Sequence, residues 1–263
     1  MKRRLDLILR AHNGSIIYED ERIIVIEKPP QFLVLPDRYN QSLPNLYTAL
    51  KDEFGGIFVV HRIDKETSGV IVFAKDADAH AQLNSQFEHR DIHKNYVAIV
   101  VGKPMEADGV IDAPISESPS HPGVMKVNSK HGKPSVTKFS VEELFDGYAF
   151  VRAMPESGRL HQIRVHLASI GLPILCDRLY GDGAPFFLSD VKPNYYSEGD
   201  EKPLLSRTAL HAASITFVHP GTNSEMNFEA ELPKDMRSVL NYLRKFRSHN
   251  PAMRQLEGSY HHA

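Results

Sequence analysis

The stretch VVHRIDKETSGVIVFAKD, residues 59–76, places a charged loop between two apolar runs. The second run, VIVFA at residues 70–74, has the uninterrupted β-branched and aromatic character of a buried strand. Because both ends of the loop are tied to buried segments, we expect its charged side chains to be held in fixed positions. The loop residues concerned are Arg62, Asp64, Lys65 and Glu66.

Asp64 lies at the centre of this loop. A carboxylate that is removed from water takes up a proton unless a cation compensates its charge, so a buried Asp64 requires a basic partner. Arg62, Lys65, Arg159 and Arg164 are the candidate partners. The alternative is a turn-capping aspartate that accepts hydrogen bonds from the backbone amides of residues 67–69, and composition alone favours that alternative.

Apolar periodicity and turn residues predict the elements around this loop. In the N-terminal half we expect two strands at 15–28 ended by a double proline, a short helix at 42–54, a helix capped by Asp76, and a strand ended by Gly102. In the C-terminal half we expect an antiparallel pair turning at 146–147, a helix at 157–171, a strand at 209–220 and an amphipathic helix at 232–247.

The apolar stripes of the two C-terminal helices are specific predictions. In the first helix Ile163, Leu167 and Ile170 should face inward, and Gly171 should end the helix. In the second helix four side chains should form the buried face: Met236, Val239, Leu240 and Leu243.

Strands and helices alternate with several hairpin-like strand pairs, which predicts an α+β fold with a mixed, largely antiparallel β-sheet flanked by helices. We expect an N-terminal arm at 1–15, a single catalytic domain at 16–248 and a disordered tail at 249–263. The segment 183–203 is polar and rich in Pro and Gly, which indicates either a mobile flap or a solvated loop.

Composition limits the class of protein. The 263 residues carry 31 Lys and Arg against 33 Asp and Glu, a net charge of -2, so the chain is not a polycation. Local basic segments at 124–138 and 234–254 are consistent either with phosphate contacts or with ordinary solvated faces. A single cysteine and the lack of a long apolar run indicate a reduced, cytoplasmic protein without a membrane segment.

The 14 histidines raise the question of a metal site. His161 and His166 are five residues apart on the predicted helix and therefore lie on different faces, unlike the four-residue spacing of a zinc-binding helix. No metal site is expected. Cys176 lies in an apolar run and is interpreted as a small core residue.

Two segments carry a family resemblance. HRIDKETSG at 61–69 and SGRLHQIRVHLASIGLPILCDRLYG at 157–181 resemble the two signatures of the RluA-type pseudouridine synthases, His-Arg-Leu-Asp-x-x-Thr-Ser-Gly and Thr-Gly-Arg-x-His-Gln-Ile-Arg-x-His-Leu. Weaker matches extend over about residues 16–233. The chain departs from the family at several positions, among them Gln31 and Cys176, where relatives usually have glycine.

The resemblance implies the pseudouridine synthase catalytic fold, with an active-site cleft across the sheet. It also implies an isomerase that converts a specific uridine in structured ribosomal or transfer RNA to its carbon-linked isomer, without cofactor or metal and with the base flipped out of its stack. The short arm leaves no room for the additional N-terminal RNA-binding domain of some relatives. No exposed heptad or large apolar stripe stands out, so a monomer is expected.

By resemblance, three residues carry the chemistry. Asp64 matches the catalytic aspartate, and Arg164 matches the arginine that pairs with it. Tyr96 matches the tyrosine that stacks beneath the uracil and assists removal of the proton on carbon 5. Whether the aspartate adds to the uracil or the ribose, or instead takes a proton from the sugar, is left open.

Four further residues are candidates for RNA binding. Arg62 is placed to fill the vacated stack or to hold a phosphate. His61 either orders the loop or contacts RNA, and Lys28 and Arg207 are candidate backbone or base contacts. Two other classes of function remain as alternatives, a non-catalytic RNA-binding protein that reuses the fold and a metal-dependent hydrolase.

Overall fold

A computed structural model describes residues 3–197 and 199–248 of the chain. The tail predicted to be disordered, 249–263, lies outside the described residues. The helices are α1 Arg4–Ala11, α2 Leu46–Phe54, α3 Ala77–His89, α4 Gln162–Ser169 and α5 Lys234–Phe246.

The strands predicted from the sequence are all present, and those at 108–112, 115–118, 121–127 and 225–229 were not predicted. Asp76 caps α3 as predicted, since its carboxylate accepts hydrogen bonds from the amides of Asp78 and Ala79. The strands are β1 Ser15–Glu19, β2 Ile23–Lys28, β3 Phe58–Val59, β4 Ser68–Ala74, β5 His93–Val101, β6 Asp108–Asp112, β7 Ile115–Ser118, β8 His121–Val127, β9 Val136–Phe145, β10 Tyr148–Pro155, β11 Leu210–Val218 and β12 Glu225–Glu229.

Within the described ranges, ten strands form one sheet in the order β1-β2-β4-β11-β5-β10-β9-β6, with β3 beside β4 and β12 beside β11. Only the β4–β11 pair among these is parallel, and β7 and β8 form a separate hairpin. The predicted mixed, largely antiparallel sheet flanked by helices is confirmed. The predicted hairpin is also confirmed, because β9 and β10 pair across Asp146–Gly147.

Gly69 explains how the two halves of the sheet meet. It lies opposite Ala212 in the parallel β4–β11 register, and its φ of 111° is left-handed. A side chain at this position would collide with the backbone carbonyl of Ala212. The glycine that ends HRIDKETSG is therefore required where the strand after the Asp64 loop meets the centre of the sheet.

Helices cover both faces of the sheet, which accounts for the uninterrupted apolar run of β4. Leu5 and Leu9 of α1 and Leu46 and Leu50 of α2 pack with one set of alternating side chains from β2 and β4. Ala79 and Leu83 of α3 pack with the opposite set. The four predicted core residues of α5 are all buried in a third cluster that also contains Ile163 and Leu167 of α4: Met236, Val239, Leu240 and Leu243.

Some sequence expectations differ from the structure. Ile170 was expected to face inward but is 42% exposed, because α4 ends at Ser169 and Gly171 then turns the chain with a φ of 77°. The segment 183–203 is neither a free flap nor wholly solvated, since Phe186 and Val191 are buried in the core. The N-terminal segment forms the packed helix α1.

None of the described helices is long and apolar enough to cross a membrane. Within the same described ranges, no group of three or more His, Cys, Asp or Glu side chains is arranged to hold a metal ion.

Candidate active site

The loop that carries Asp64 runs from the end of β3 to the start of β4 and is held by contacts to its backbone. The carbonyl of Lys65 accepts a hydrogen bond from Lys28 Nζ at 3.0 Å. The carbonyl of Glu66 accepts one from Arg207 Nη1 at 3.1 Å, and its carboxylate accepts two from Thr208, from the amide at 3.0 Å and from Oγ1 at 2.6 Å. The sequence expectation of a fixed loop matches this arrangement.

Lys28 belongs to this support. Its side chain is fully buried, and Nζ donates to the carbonyls of Pro29 at 2.9 Å, Phe32 at 2.8 Å and Lys65 at 3.0 Å. Burial, together with the charge of Arg207, lowers the pKa of Lys28 to about 7. The expected RNA contact stays a prediction that this geometry does not favour, because all three donors of the ammonium group are used inside the protein.

Arg207 supports the Asp64 loop in the same way. It is 3% exposed, and its guanidinium forms a two-pronged ion pair with Asp235 at 2.7 and 2.9 Å. Its third nitrogen donates to carbonyls, including that of Glu66. The predicted contact with RNA stays a prediction here too, and the geometry does not favour it, because the guanidinium that would bind a phosphate is used inside the protein.

The Asp64 carboxylate is paired with Arg164 rather than with turn amides. Arg164 Nη1 donates to Asp64 Oδ2 at 3.2 Å, whereas the hydrogen bond within the turn joins the amide of Thr67 to the backbone carbonyl of Asp64. Of the four candidate cations proposed from the sequence, Arg164 is the one that forms the ion pair. The side chain of Asp64 is 22% exposed and so stays open to a substrate.

Asp177 fixes Arg164 from behind, and sequence reasoning missed it. Arg164 Nε and Nη2 each donate to this fully buried carboxylate at 2.7 Å. Burial opposes the charge of Arg164, but Asp177 and Asp64 outweigh burial and raise the pKa of the guanidinium. The signal available in the sequence was indirect: an arginine on an apolar helix needs a buried carboxylate, and Asp177 lies in the second signature segment.

His161 and Tyr180 form a second contact chain beside Asp64. The Tyr180 hydroxyl accepts a hydrogen bond from the Met125 amide at 2.8 Å and lies 2.8 Å from Nδ1 of His161. Because the Met125 amide can only donate, the hydroxyl proton is available to Nδ1, an arrangement that belongs to the tautomer with the imidazole proton on Nε2. Burial lowers the pKa of His161 despite the nearby charge of Asp64, and Nε2 lies 3.8 Å from Asp64 Oδ2.

The backbone at His161 is also unusual. This residue precedes α4 with a left-handed φ of 55°, a conformation that costs a non-glycine residue about 1–2 kcal/mol. Such strain is found preferentially at functional sites, where surrounding contacts maintain it. Here the contact with Tyr180 holds the ring in place.

A cleft of about 320 Å³ opens above these groups. Tyr96, on β5 between β10 and β11, forms part of its wall together with Ile63, Phe87 and Leu210. Burial and the negative charge of Asp64 raise the pKa of Tyr96. The cleft thus combines the Asp64–Arg164 ion pair, an apolar wall and a phenol that stays protonated at neutral pH.

The two remaining predicted residues differ in their environment. His61 Nε2 accepts a hydrogen bond from the Val72 amide at 3.1 Å, its ring packs on Phe87 with centroids 5.0 Å apart, and burial lowers its pKa to about 3. These contacts order the loop. Arg62 is exposed in the cleft wall, and no described residue forms a hydrogen bond or ion pair with its guanidinium.

Lys94 was not predicted. It lines the cleft, its ammonium group donates to the Ser157 carbonyl at 3.3 Å, and burial lowers its pKa to about 8. On sequence alone it resembles any strand lysine, and only its position beside Tyr96 in the cleft separates it from a surface residue.

The fold and this cleft define the class of protein. The structure resembles a solved structure titled human RNA pseudouridylate synthase domain containing 4, with a TM-score of 0.68, 30% sequence identity, and coverage of 92% of this chain and 97% of that chain. The fold also resembles that of human RNA pseudouridylate synthase domain containing 1, with a TM-score of 0.64, 23% identity, and coverage of 91% and 98% of the two chains.

Sequence comparison identifies the family. Residues 22–169 match the sequence profile described as RNA pseudouridylate synthase. The chain is 39% identical over 213 residues to a dual-specificity RNA pseudouridine synthase RluA of Vibrio vulnificus, covering 78% of each chain. It is 37% identical over 235 residues to a ribosomal large subunit pseudouridine synthase D of Nitrosomonas europaea, covering 88% of this chain but 65% of the length of that relative. The chain belongs to the RNA pseudouridylate synthase family, so the resemblance found in the two signatures is confirmed.

Proposed function

We propose that the protein isomerises a specific uridine to pseudouridine in structured RNA, with Asp64 as the catalytic residue. The observation that carries the proposal is the position of the Asp64 carboxylate. It lies in the wall of the cleft, 3.2 Å from the buried guanidinium of Arg164. Arg164 in turn is held by Asp177. Such a chain places a cation beside the carboxylate and fixes the positions of both groups, as this reaction requires.

The reaction rearranges bonds without adding or removing an atom. The bond between N1 of uracil and C1′ of ribose breaks, the base rotates, a bond forms between C5 and C1′, C5 loses a proton and N1 gains one. In one route Asp64 adds to the uracil or the ribose, and in the other it takes a proton from the sugar before reattachment. Both routes need the ionised carboxylate next to the glycosidic bond.

The environment of Tyr96 favours stacking beneath the base over removal of the proton on C5. A phenol whose pKa is raised above its ordinary value of 10 is a poor base at neutral pH. An aromatic wall that stays uncharged can pack against the face of uracil in the cleft. The separation of base from ribose and its rotation would then occur against this wall.

The size of the cleft supports base extrusion. Its volume of about 320 Å³ suits one nucleoside, near the lower end of typical small-ligand sites. A uridine inside a helix or a stacked loop would have to leave its neighbours to reach Asp64, at a cost of a few kcal/mol. Arg62 is exposed at the mouth of the cleft and is suited to occupy the vacated stack or to bind a phosphate.

Ribosomal and transfer RNAs are the proposed substrates. Two kinds of relatives support this choice, since one group is described as acting on the ribosomal large subunit and another as dual-specificity. We propose ribosomal RNA as the first substrate to test, because several relatives are named ribosomal large subunit pseudouridine synthases.

The test is position-resolved mapping of pseudouridine in total cellular RNA, with and without this gene. A site lost on deletion should return with the wild-type gene and with Asp108→Asn. This control changes an exposed aspartate on β6, at the edge of the sheet and outside the cleft. It should stay absent with Asp64→Asn.

Restoration of the site by Asp64→Asn would overturn the catalytic assignment. Purified wild-type protein that binds ribosomal and transfer RNA but forms no pseudouridine on either would instead favour a binding-only protein. Fold and RNA affinity of Asp64→Asn should match those of the wild type, since the side chain is partly exposed and the amide oxygen of asparagine can still accept the hydrogen bond from Arg164.

A further inference from the structure

A second cavity adjoins the cleft. This groove of about 570 Å³ is formed by residues 33–38, the Asp64 loop and the segment at 178–179. Asp64, Arg62 and Arg164 line both cavities. A molecule in the cleft is therefore in direct reach of the groove, while Tyr96 and Lys94 line the cleft alone.

The charges of the groove are distributed unevenly. Arg38, Lys65 and Arg178 are exposed in its walls, and no described residue forms a hydrogen bond or ion pair with any of the three charged groups. Its carboxylates are engaged: Asp37 accepts hydrogen bonds from the amides of residues 39 and 40 at 2.9 Å, and Glu66 is bound by Thr208. The two amides lower the pKa of the Asp37 carboxyl, and Lys65 lies close enough to lower it further. The lining still carries more basic than acidic side chains, since Arg62 and Arg164 also belong to it and, among the described residues, its only carboxylates are Asp37, Asp64 and Glu66.

The same groove contains an apolar wall. Leu35 is 36% exposed and Leu179 is 47% exposed, and both line the cavity together with Pro36. Exposed cations beside exposed apolar side chains match the chemistry of a single nucleotide, which has a phosphate and a flat base with an apolar face.

We propose that this groove binds the nucleotide that flanks the target uridine, with its phosphate on Arg38, Lys65 and Arg178 and its base against Leu35 and Leu179. The inference rests on the proposed function, because it assumes that the uridine occupies the cleft. The RNA backbone then crosses beside Arg62, and the identity of the flanking base contributes to substrate choice.

The test uses a fluorescein-labelled single-stranded oligouridylate, whose binding to the full chain is followed by fluorescence anisotropy over a series of salt concentrations. Arg38→Gln, Lys65→Gln and Arg178→Gln should each weaken binding, roughly threefold to tenfold at low salt, and lower the slope of log affinity against log salt by about 0.7. Lys103→Gln removes an exposed charge outside both cavities and should match the wild type.

A separate experiment tests the contact with the base. Leu35→Ser and Leu179→Ser should weaken binding of the oligouridylate but leave unchanged the binding of an abasic ribose-phosphate oligomer of equal length. Equal losses for both oligomers would overturn the assignment of the base. Charge variants that bind like Lys103→Gln would overturn the groove as a nucleotide site.

Failure of the groove proposal can be distinguished from failure of the proposed function. If wild-type protein forms pseudouridine on cellular RNA while the groove variants keep wild-type affinity and KM, the groove proposal fails alone. If the variants weaken oligouridylate binding while wild-type protein forms no pseudouridine on any cellular RNA, the proposed function fails and the groove remains a nucleotide site.

Discussion

The basic residues around the Asp64 loop fall into two groups that the sequence does not distinguish. Lys28, Arg164 and Arg207 are buried, and their charged groups donate to carboxylates or carbonyls inside the protein. Arg62 and Arg178 are exposed, and no described residue pairs with their charged groups. The first group holds the Asp64 loop, and the second is exposed to solvent and, in the proposed function, available to RNA.

The comparison separates two physical tasks. A buried cation contributes only when every donor has a partner, because an unpaired charge in the interior costs several kcal/mol. An exposed cation costs little and gains affinity by releasing counterions from RNA. Substitutions in the first group should therefore reduce stability and turnover, whereas substitutions in the second should reduce affinity.

The largest effect is expected at the carboxylate behind Arg164. Asp177→Asn replaces the buried charged partner of that guanidinium with a neutral one, leaves the partly exposed Asp64 as its remaining carboxylate, and should lower the free energy of unfolding by about 3–5 kcal/mol. It should also lower kcat more than it raises KM, since Arg164 no longer holds Asp64 in position. Urea denaturation and steady-state kinetics on the identified RNA would measure the two effects.

Glu143→Gln is the matched control. Glu143 also forms a two-pronged pair with an arginine, Arg244, but that arginine is half exposed. The same carboxylate-to-amide change should cost at most about 1 kcal/mol and leave kcat unchanged. Equal losses at both sites would contradict the special role of the buried pair.

Arg207 and Arg62 test the division between the two groups directly. Arg207→Met should lower stability by about 2–3 kcal/mol, because it removes an ion pair and the bond to the Glu66 carbonyl. RNA affinity measured on the folded protein should change little. Arg62→Met should do the reverse, with a stability change within about 0.5 kcal/mol and weaker, less salt-dependent binding. Reduced RNA affinity in folded Arg207→Met would return this residue to the binding surface.

A smaller effect concerns pH and His61. Because its folded-state pKa of about 3 lies below the ordinary 6.5, the unfolded chain binds a proton that the folded chain does not, and stability falls as the pH drops through 6.5 toward 3. The loss from this group should reach about 1–2 kcal/mol near pH 5. His61→Asn, which keeps a hydrogen-bond acceptor, should lose less on acidification than wild type.

His121→Asn provides the comparison, since His121 is exposed on β8. The free energy of unfolding of His121→Asn should fall with acidification as much as that of the wild type, as measured by urea titrations at neutral and acidic pH. If His61→Asn shows the full wild-type acid loss, the burial of this imidazole does not contribute to the pH dependence of stability.

The fold was largely predictable because its signals are local. The apolar run of β4, the cap at Asp76 and the turn at 146–147 each lie within a few residues, and all three were confirmed. Ile170 was misplaced because a periodic pattern does not show where α4 ends. The anchoring of segment 183–203 depends on the burial of Phe186 and Val191 against distant strands, which local sequence does not encode.

The candidate site was predictable only in part. The resemblance placed Asp64 and Arg164 correctly as a pair. It did not reveal Asp177, whose role follows from three-dimensional burial. Lys28 and Arg207 were assigned to RNA because basic residues are the usual phosphate ligands, but whether a lysine or arginine faces water is decided by tertiary packing.

The smallest effect tests a departure from the family pattern. Gln31 follows the segment that carries Lys28, is exposed, and has a left-handed φ of 63°, at a position where the family resemblance leads us to expect glycine. Gln31→Gly removes strain of about 1–2 kcal/mol but makes the unfolded chain more flexible, which offsets about 0.4–1 kcal/mol. A net gain of about 0.5 kcal/mol is expected. Gln82→Gly, at an exposed position within α3, should instead lose about 1 kcal/mol. Both variants replace glutamine with glycine, and urea denaturation measures the change in the free energy of unfolding for each. Opposite signs would show that the left-handed backbone at residue 31 decides the outcome. Equal losses of stability would refute the strain at residue 31.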